Sequence, residues 1–466
     1  MSWTRQQAKA LADQILSYSR AKECEVSLDQ ARLGHTRFAA NDITTSGSSH
    51  TLEISITSRD GTRSGTSHAN DIDPGVLKSA VARSEELMEA ASPDPEYEEG
   101  LAPQKYPEMH SFHDETAKAR ATDRASAVKT ALDISRASGL NASGFSENIA
   151  RWSAIANKKK NFGFHSSTVA IYSTTMRTED GTGSGWAGVH SPWFSKIPAQ
   201  SLAQRAAKKA EMSANPKTLE PGRYTVILEP QAVSDLMGSL IGSLSRRLAD
   251  EGRSFLSKAG GGNRLGEKLF PEIVTIKSDP FDPRIAGRPW TGGGGGGFGG
   301  GGGRGGGGFG GGGGSGHLPS RKTTWIENGV LKTLTCDRYW ASVTKSQPVP
   351  FSGGLVMTGG SGTVDDLIAG TERGLLITHF FYIRVVNPQN VELTGLTRDG
   401  VWLVEKGKII HAVNNFRFNQ SPVNLLKNVE AMSAAVPTAG GGMSGGVIMP
   451  AIRAHDFSFT SQSDAV

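Results

Sequence analysis

Twenty-one of the 25 positions from Gly292 to Gly316 are glycine, interrupted only by Phe298, Arg304, Phe309 and Ser315. No packed element can be built from such a run, because glycine loses the most backbone freedom on ordering and offers no side chain to bury in return. The tract must therefore be a connection between the segments on either side of it. A phosphate-binding loop would end in a Lys-Ser/Thr pair at the head of a helix, whereas "HLPSRKTTW" leads into a strand. An RGG-type nucleic-acid segment would carry many arginines among stacking aromatics, and this run has one. The expectation is a disordered Gly-rich loop, 292–316, inserted between ordered flanks at an entropy cost that grows only logarithmically with length.

Upstream of the tract, Thr4 with Gln7 forms a capping-box signature for a helix whose Ala8, Leu11, Ile15 and Leu16 share a face. Leu52, Ile54 and Ile56 alternate with polar residues before an Asp60-Gly61 turn, and Asp73-Pro74 opens a second helix. A Pro-, Glu- and His-rich stretch at 91–115 precedes an alanine-rich helix at about 116–137. The next segment, "ARWSAIANKKKNFGFHSSTVAIYSTTMRTEDGTGSG", parallels "HTRFAANDITTSGSSHTLEISITSRDGTRSG", with Asp180-Gly181 echoing Asp60-Gly61. These read as two similar βαβ-like pieces in one N-terminal domain, 1–215. Chance likeness between two Ser/Thr/Gly-rich hairpins is the alternative.

Downstream, "RYTVILE" is a short buried strand feeding a helix over 230–248, where Val233, Leu236, Met237, Leu240, Ile241, Leu244 and Leu248 fall at helical spacing. Hairpins around Asn328-Gly329 and Lys406-Gly407 flank the apolar run "GLLITHFFYIRVV". The fold class is α+β: an N-terminal domain of duplicated strand and helix pieces, then a C-terminal antiparallel-sheet domain, 216–450, with a packed helix. Residues 451–466 read as a flexible tail.

The chain carries 50 basic and 45 acidic residues, a formal charge of +5 that is scattered except at "NKKKN" and gives no basis for a nucleic-acid partner. With two cysteines, Cys24 and Cys336, and no span of apolar residues long enough for a bilayer, the expectation is a cytoplasmic protein with no membrane segment. A zinc hydrolase helix needs two imidazoles one turn apart and a carboxylate; the 230–248 helix has no histidine. His110 and His113 lie in a polar segment and read as surface or loop residues, Cys336 as a buried inert thiol, and Arg398-Asp399-Gly400 as a turn with its own ion pair. In "AVNNFRFNQSP", Asn415, Arg417 and Asn419 offer donors that could hold an extended peptide by its backbone or a carboxylate. They could equally tie down the chain as it leaves the sheet.

The stretches "TRFAANDI", "LEPGRYTVILEPQAVSDLMGSLIGSLSRRLADEGRSFL", "DPFDPRIAGRPW", "RKTTWIENGVLKTLTCDRYWA" and "GLTRDGVWLVEKGKIIHAVNNFRFNQSP" carry a resemblance to the TldD/PmbA family, and more closely to its PmbA/TldE branch. The family pattern has no long polyglycine run, which marks the tract as an insertion. In the TldD branch the corresponding helix bears a His-Glu-x-x-x-His motif, completed by a C-terminal cysteine. The positions here that match it are Met237, Gly238 and Gly242, and no cysteine follows Cys336. The resemblance thus implies a non-catalytic chain without a cofactor of its own, working on unfolded or leader-type peptides beside a TldD-like metallopeptidase subunit that holds the metal, expected to be zinc. A homodimer is a further partner expectation. A stand-alone peptidase or other hydrolase with a different metal set, and a binding or scaffold protein with no peptidase role, are the competing readings.

Overall fold

The computed structural model describes residues 3–292, 316–440 and 446–463. The capping box at Thr4 starts α1 (Arg5–Tyr18): the Thr4 and Gln7 backbone N–H groups donate to each other's side chains at 2.9 and 3.2 Å. Three antiparallel strands follow, β1 (Glu23–Ala39), β2 (Asp42–Asp60) and β3 (Arg63–Ala69), and then α2 (Pro74–Ala90), capped by Asp73. After a short α3 (Asp114–Ala117), the order recurs as α4 (Ala121–Ala137), β4 (Leu140–Asn157), β5 (Phe162–Thr178), β6 (Ser184–Ser191) and α5 (Ala199–Met212). All six strands form one sheet in the order β3-β2-β1-β4-β5-β6, with β1 and β4 antiparallel at its centre. The expected βαβ-like pieces are therefore α-β-β-β-α pieces. Their strands are joined by tight hairpins, whereas a parallel crossover needs a dozen or more residues.

In the first half Val26, Leu28, Ile54 and Ile56 pack against Ala12, Ile15 and Leu77; in the second, Tyr172 and Met176 pack against Val128, Leu132, Leu202 and Ala206. The two matching turns end in the same device. A Cβ on Gly65 would stand 2.2 Å from the Met88 nitrogen of α2, and one on Gly185 would stand 2.2 Å from the Ala206 carbonyl oxygen of α5. Each glycine lets a helix backbone lie directly on the outer strand.

The C-terminal half runs β7 (Arg223–Leu228), α6 (Pro230–Gly242), α7 (Arg246–Asp250), β8 (Ile276–Ser278), β9 (Thr323–Glu327), β10 (Val330–Leu331), α8 (Arg338–Val343), β11 (Leu355–Met357) and α9 (Val364–Ala369). It continues with β12 (Arg373–Asn387), β13 (Glu392–Glu405), β14 (Lys408–Ala412), β15 (Asn415–Gln420), α10 (Pro422–Lys427), β16 (Val429–Met432), β17 (Val436–Pro437), β18 (Val447–Met449) and β19 (Ile452–Ser463). One sheet has the order β10-β9-β8-β11-β18-β17. In the other, β12-β7-β19-β15-β13 closes into a barrel because β12 also pairs with β13, and β14 and β16 attach at its sides. Both sheets are mixed and not purely antiparallel as expected, since β7 runs parallel to β12 and β11 parallel to β18. Two-residue turns such as Lys406-Gly407 announce hairpins, whereas a parallel pairing joins strands far apart in the chain and leaves no local mark.

Two further expectations are corrected. The 230–248 helix is broken after Gly242, where Ser243 caps α6 and the Ser245 hydroxyl accepts from Leu248 N–H to start α7; serine competes with helix propagation by capping. The 451–466 tail is largely strand. β19 lies between β7 and β15, and its Phe457 and Phe459 stack with Phe380, Phe416 and Phe418 at centroid distances of 4.9–5.6 Å. The tract from 293 to 315, expected to be disordered, lies outside the described residues.

Its flanks are well defined. Thr291 N–H donates to the Leu318 carbonyl at 2.9 Å, Ser320 N–H to the Pro289 carbonyl at 2.9 Å, and Trp290 pairs with Pro319. Trp290 also meets Tyr106 edge-on at 5.6 Å and covers Gly163 of the N-terminal sheet. The chain thus enters and leaves the tract from adjacent points held without help from the glycines. Removal of residues 293–314 is expected to shift the melting temperature by less than about 4 °C, and a loss beyond about 8 °C, or some 2 kcal/mol or more, would refute that.

Candidate functional site

α6 lies between the two C-terminal sheets. Its Val233, Leu236, Met237 and Leu240 join a single core with Leu228 and Leu375 of the barrel and Ile276, Leu355 and Met449 of the other sheet. A helix enclosed on several sides is apolar around most of its circumference. The remaining stripe is Gln231, Asp235, Gly238 and Gly242, spaced four, three and four residues apart and so on one face. Met237 is 0% exposed and points into the core. The three positions matched to the metal motif thus supply a buried thioether and two residues without side chains. Among the described residues no three His, Cys, Asp or Glu side chains cluster as a metal site would. The residues present do not fit a zinc ion, which needs three or four imidazole, thiolate or carboxylate ligands. Cys24 and Cys336 are buried free thiols, with burial pushing both pKa values up. His110 is exposed, while His113 lies against Trp193 at 4.3 Å.

The chemistry that the sequence hid is where the N-terminal half meets the barrel. Asp235 of α6 accepts from Phe380 N–H at 2.9 Å and from the Gln231 amide at 2.7 Å. Beside it, His379 of β12 places Nε2 2.7 Å from Asp399 Oδ2, and its ring lies 4.9 Å from Trp186 of β6. The Ser184 hydroxyl, also on β6, donates to the other Asp399 oxygen. Nearby, Lys209 of α5 reaches Glu229 at 2.7 Å, and both are largely buried. Arg398-Asp399-Gly400, expected as a turn with its own ion pair, lies inside β13. Asp399 has φ +56° and Gly400 φ +120°, so the strand bulges and aims the carboxylate at His379. The expected ion pair is present but long, with Arg398 Nε 4.0 Å from Asp399, and the guanidinium also lies over the Phe381 ring. The visible signal was Asp235, a lone carboxylate in an apolar helix, because a buried carboxylate needs a partner.

Burial opposes the charged imidazole of His379, but the Asp399 hydrogen bond and the charges of Asp399 and Asp235 outweigh it and raise its pKa. Burial likewise opposes the Asp399 carboxylate, and His379 and Ser184 more than offset it, so its pKa falls. Asp235 is raised, chiefly by burial. The raised histidine stabilises the junction fully below its unfolded value of about 6.5, and that contribution is lost as pH rises through the folded value. The lowered aspartate stabilises above its unfolded value of about 3.9 and loses that contribution as pH falls. Stability should accordingly decline as pH rises above about 6.5, and His379→Gln should flatten the decline. Melting curves between about pH 5 and 9 check this, and an unchanged slope in the variant would refute it.

Asn415, Arg417 and Asn419 alternate along β15, an interior strand between β13 and β19. Phe416 and Phe418 fill the barrel behind them, so the three polar residues share the outer face. Arg417 is exposed and opposite Leu396, which in turn is opposite Phe381. The Asn415 side chain accepts from Thr397 Oγ1 at 2.8 Å, and Asn419 is opposite Thr394. Both edges of β15 are already paired, so an extended peptide cannot add to this strand, and only its side chains are presented.

Residues 221–461 match the model of the PmbA/TldA metallopeptidase C-terminal domain. That is just over half of the chain. The chain belongs to the PmbA/TldD family. No curated protein sequence matches it. Among solved structures, TldE from Thermococcus kodakarensis aligns with a TM-score of 0.80 at 17% identity, covering 97% of this chain and 100% of that one. A candidate modulator of a DNA gyrase from Thermotoga maritima aligns at 0.78 and 17% identity, with 97% and 100% covered. A third, from Bacteroides thetaiotaomicron and described in similar words, aligns at 0.79 and 17%, with 98% and 99% covered. At these identities the likeness is one of fold. The PmbA/TldD fold thus extends over both halves of the chain, and no described helix is long and apolar enough to cross a membrane.

Proposed function

We propose that this chain is the non-catalytic, TldE-like subunit of a cytoplasmic metallopeptidase complex, with the metal and its ligands in a TldD-like partner and unfolded or leader-type peptides as substrate. The observation that carries the reading is the state of α6: a family whose metallopeptidase members place histidines there has in this chain a core methionine and two glycines. The polar stripe Gln231, Asp235, Gly238 and Gly242 is left to pack and to hold the β12 backbone through Asp235. Arg417, Asn415 and Asn419 would meet the peptide as a wall of a groove that the partner completes, holding carboxylates and backbone groups without reading side chains. Such contacts support broad specificity.

The test is reconstitution. The purified chain alone is expected to turn over no unstructured peptide, and activity is expected only on mixing with a histidine-bearing homologue from the same genome. Peptide hydrolysis by the chain alone, with one tightly held metal per chain, would overturn the reading. Arg417→Ala is expected to raise the apparent KM of the pair about tenfold with association and melting temperature unchanged, since a charge-assisted hydrogen bond contributes about 1.5–3 kcal/mol. A lowered melting temperature with unchanged turnover per assembled pair would remove Arg417 from the groove.

A further inference from the structure

β12 has two neighbours only in its first half. Leu375, Leu376 and Ile377 pair with β7 on one side and β13 on the other. Beyond His379 the strand runs on beside β13 alone as far as Asn387, through two register shifts and a left-handed Tyr382 at φ +55°. Among the described residues no other strand pairs with the free side of 381–387. The arm is apolar where it is bare: Tyr382 is 62% exposed, Val386 53%, Phe381 42% and Val385 36%. Over the two rings lie guanidinium groups, Arg398 4.2 Å from the Phe381 centroid and Arg384 4.2 Å from that of Tyr382. Glu392, opposite Asn387 at the far end, is the one carboxylate of the β13 stretch paired with 380–387.

A long, bare apolar edge is a liability that proteins normally blunt with lysine, proline or a cover. This arm instead has the composition of an interface centre, rich in aromatic residues and arginine and poor in lysine and carboxylates. We infer that the β12 arm is the docking surface for a folded partner protein, which adds a strand to the free edge and presents carboxylates to Arg384 and Arg398. A row of unpaired backbone groups is matched by another polypeptide backbone. Because side chains on both faces of the arm are bare, a single added strand leaves much of the apolar surface wet, and a folded surface must close over it. Arg384 donates through Nη1 to the Ile383 carbonyl at 2.8 Å and Arg398 has Nε 4.0 Å from Asp399, and the remaining guanidinium N–H groups of both favour acidic groups.

The inference rests on the two-subunit reading for the identity of the partner, the histidine-bearing homologue. The test compares the full chain with Tyr382→Asp/Val386→Asp, and with the milder Tyr382→Ser/Val386→Thr, by sedimentation velocity, melting temperature and peptide turnover with that homologue. Both variants are expected to melt within about 3 °C of the parent, and the aspartate pair to raise the Kd of association at least about 30-fold, as central aromatic truncations do. The milder pair should raise Kd by a smaller factor, and added salt should weaken the parent complex. Unchanged association by both variants would overturn the docking surface while leaving the two-subunit reading intact. Normal association with reduced turnover would assign the arm to substrate. Loss of a self-association made by the chain alone, with the mixed pair unaffected, would assign it to a second copy; each of these outcomes also overturns the inference. If the parent chain and homologue do not associate at all, the two-subunit reading falls, and this partner with it.

Discussion

Asp399→Ala is expected to lower the melting temperature of the chain by roughly 10 °C or more. The carboxylate is buried, accepts from Ser184 across the junction and pairs with His379. Removing it leaves a buried imidazole without its counter-charge, with Asp235 and Lys209 in the same enclosed region. Breaking a buried pair by deleting one partner typically costs about 3–5 kcal/mol, and a domain of this size loses about 2–4 °C per kcal/mol. Arg398→Ala is the control. Its guanidinium is 4.0 Å from Asp399 and partly exposed, so a change within about 2 °C is expected. A melting temperature for Asp399→Ala within about 3 °C of the parent would show that the network does not hold the two halves together.

Met237→His is expected to destabilise the chain by about 2–5 kcal/mol and to create no metal site, even combined with Gly238→Glu and Gly242→His. The Met237 side chain is fully buried among Leu240, Leu355 and other apolar neighbours of the core, and an imidazole there would have polar nitrogens with no partner. Only the glycine positions lie on the half-buried stripe, so the three restored side chains would not share one direction. Metal analysis and thermal melts of the triple variant decide the matter, and a stoichiometric zinc with an unchanged melting temperature would refute the placement of this helix.

Local signals were legible in the sequence: Thr4 with Gln7, Asp73-Pro74, and the Asp60-Gly61 and Asp180-Gly181 turns are decided within a few residues, and each lies where its chemistry places it. The apolar face of α6 was legible too, though not its break, because Ser245 can serve either as a helix residue or as a cap. Contacts distant in sequence were not. Nothing near Asp399 points to Ser184, 215 residues away, or to a bulge that turns the carboxylate inward. Likewise the alternation of Ile452, Ala454, Phe457 and Phe459 reads as a tail until β7 and β15 are seen on either side of it. The candidate peptide residues were found as a cluster, but the sheet order that sets them on the outer face of an interior strand was not.

The position of β19 bears on how the chain can be made. All six strands of the N-terminal sheet lie between Glu23 and Ser191, so it can assemble while the C-terminal half is still being made. The barrel cannot, because β7 at Arg223–Leu228 has as its neighbour a strand that begins at Ile452. At about 5–20 residues per second, β7 waits for roughly 11–45 s with one flank unpaired, and the barrel closes only once β19 has been made. During that interval the apolar α6, the Phe416 and Phe418 side chains and the open edges of β7 and β15 are exposed together. A nascent chain of this kind has a long window in which chaperone binding or early association with another subunit would protect it, and a stop codon just before Ile452 would make that window permanent.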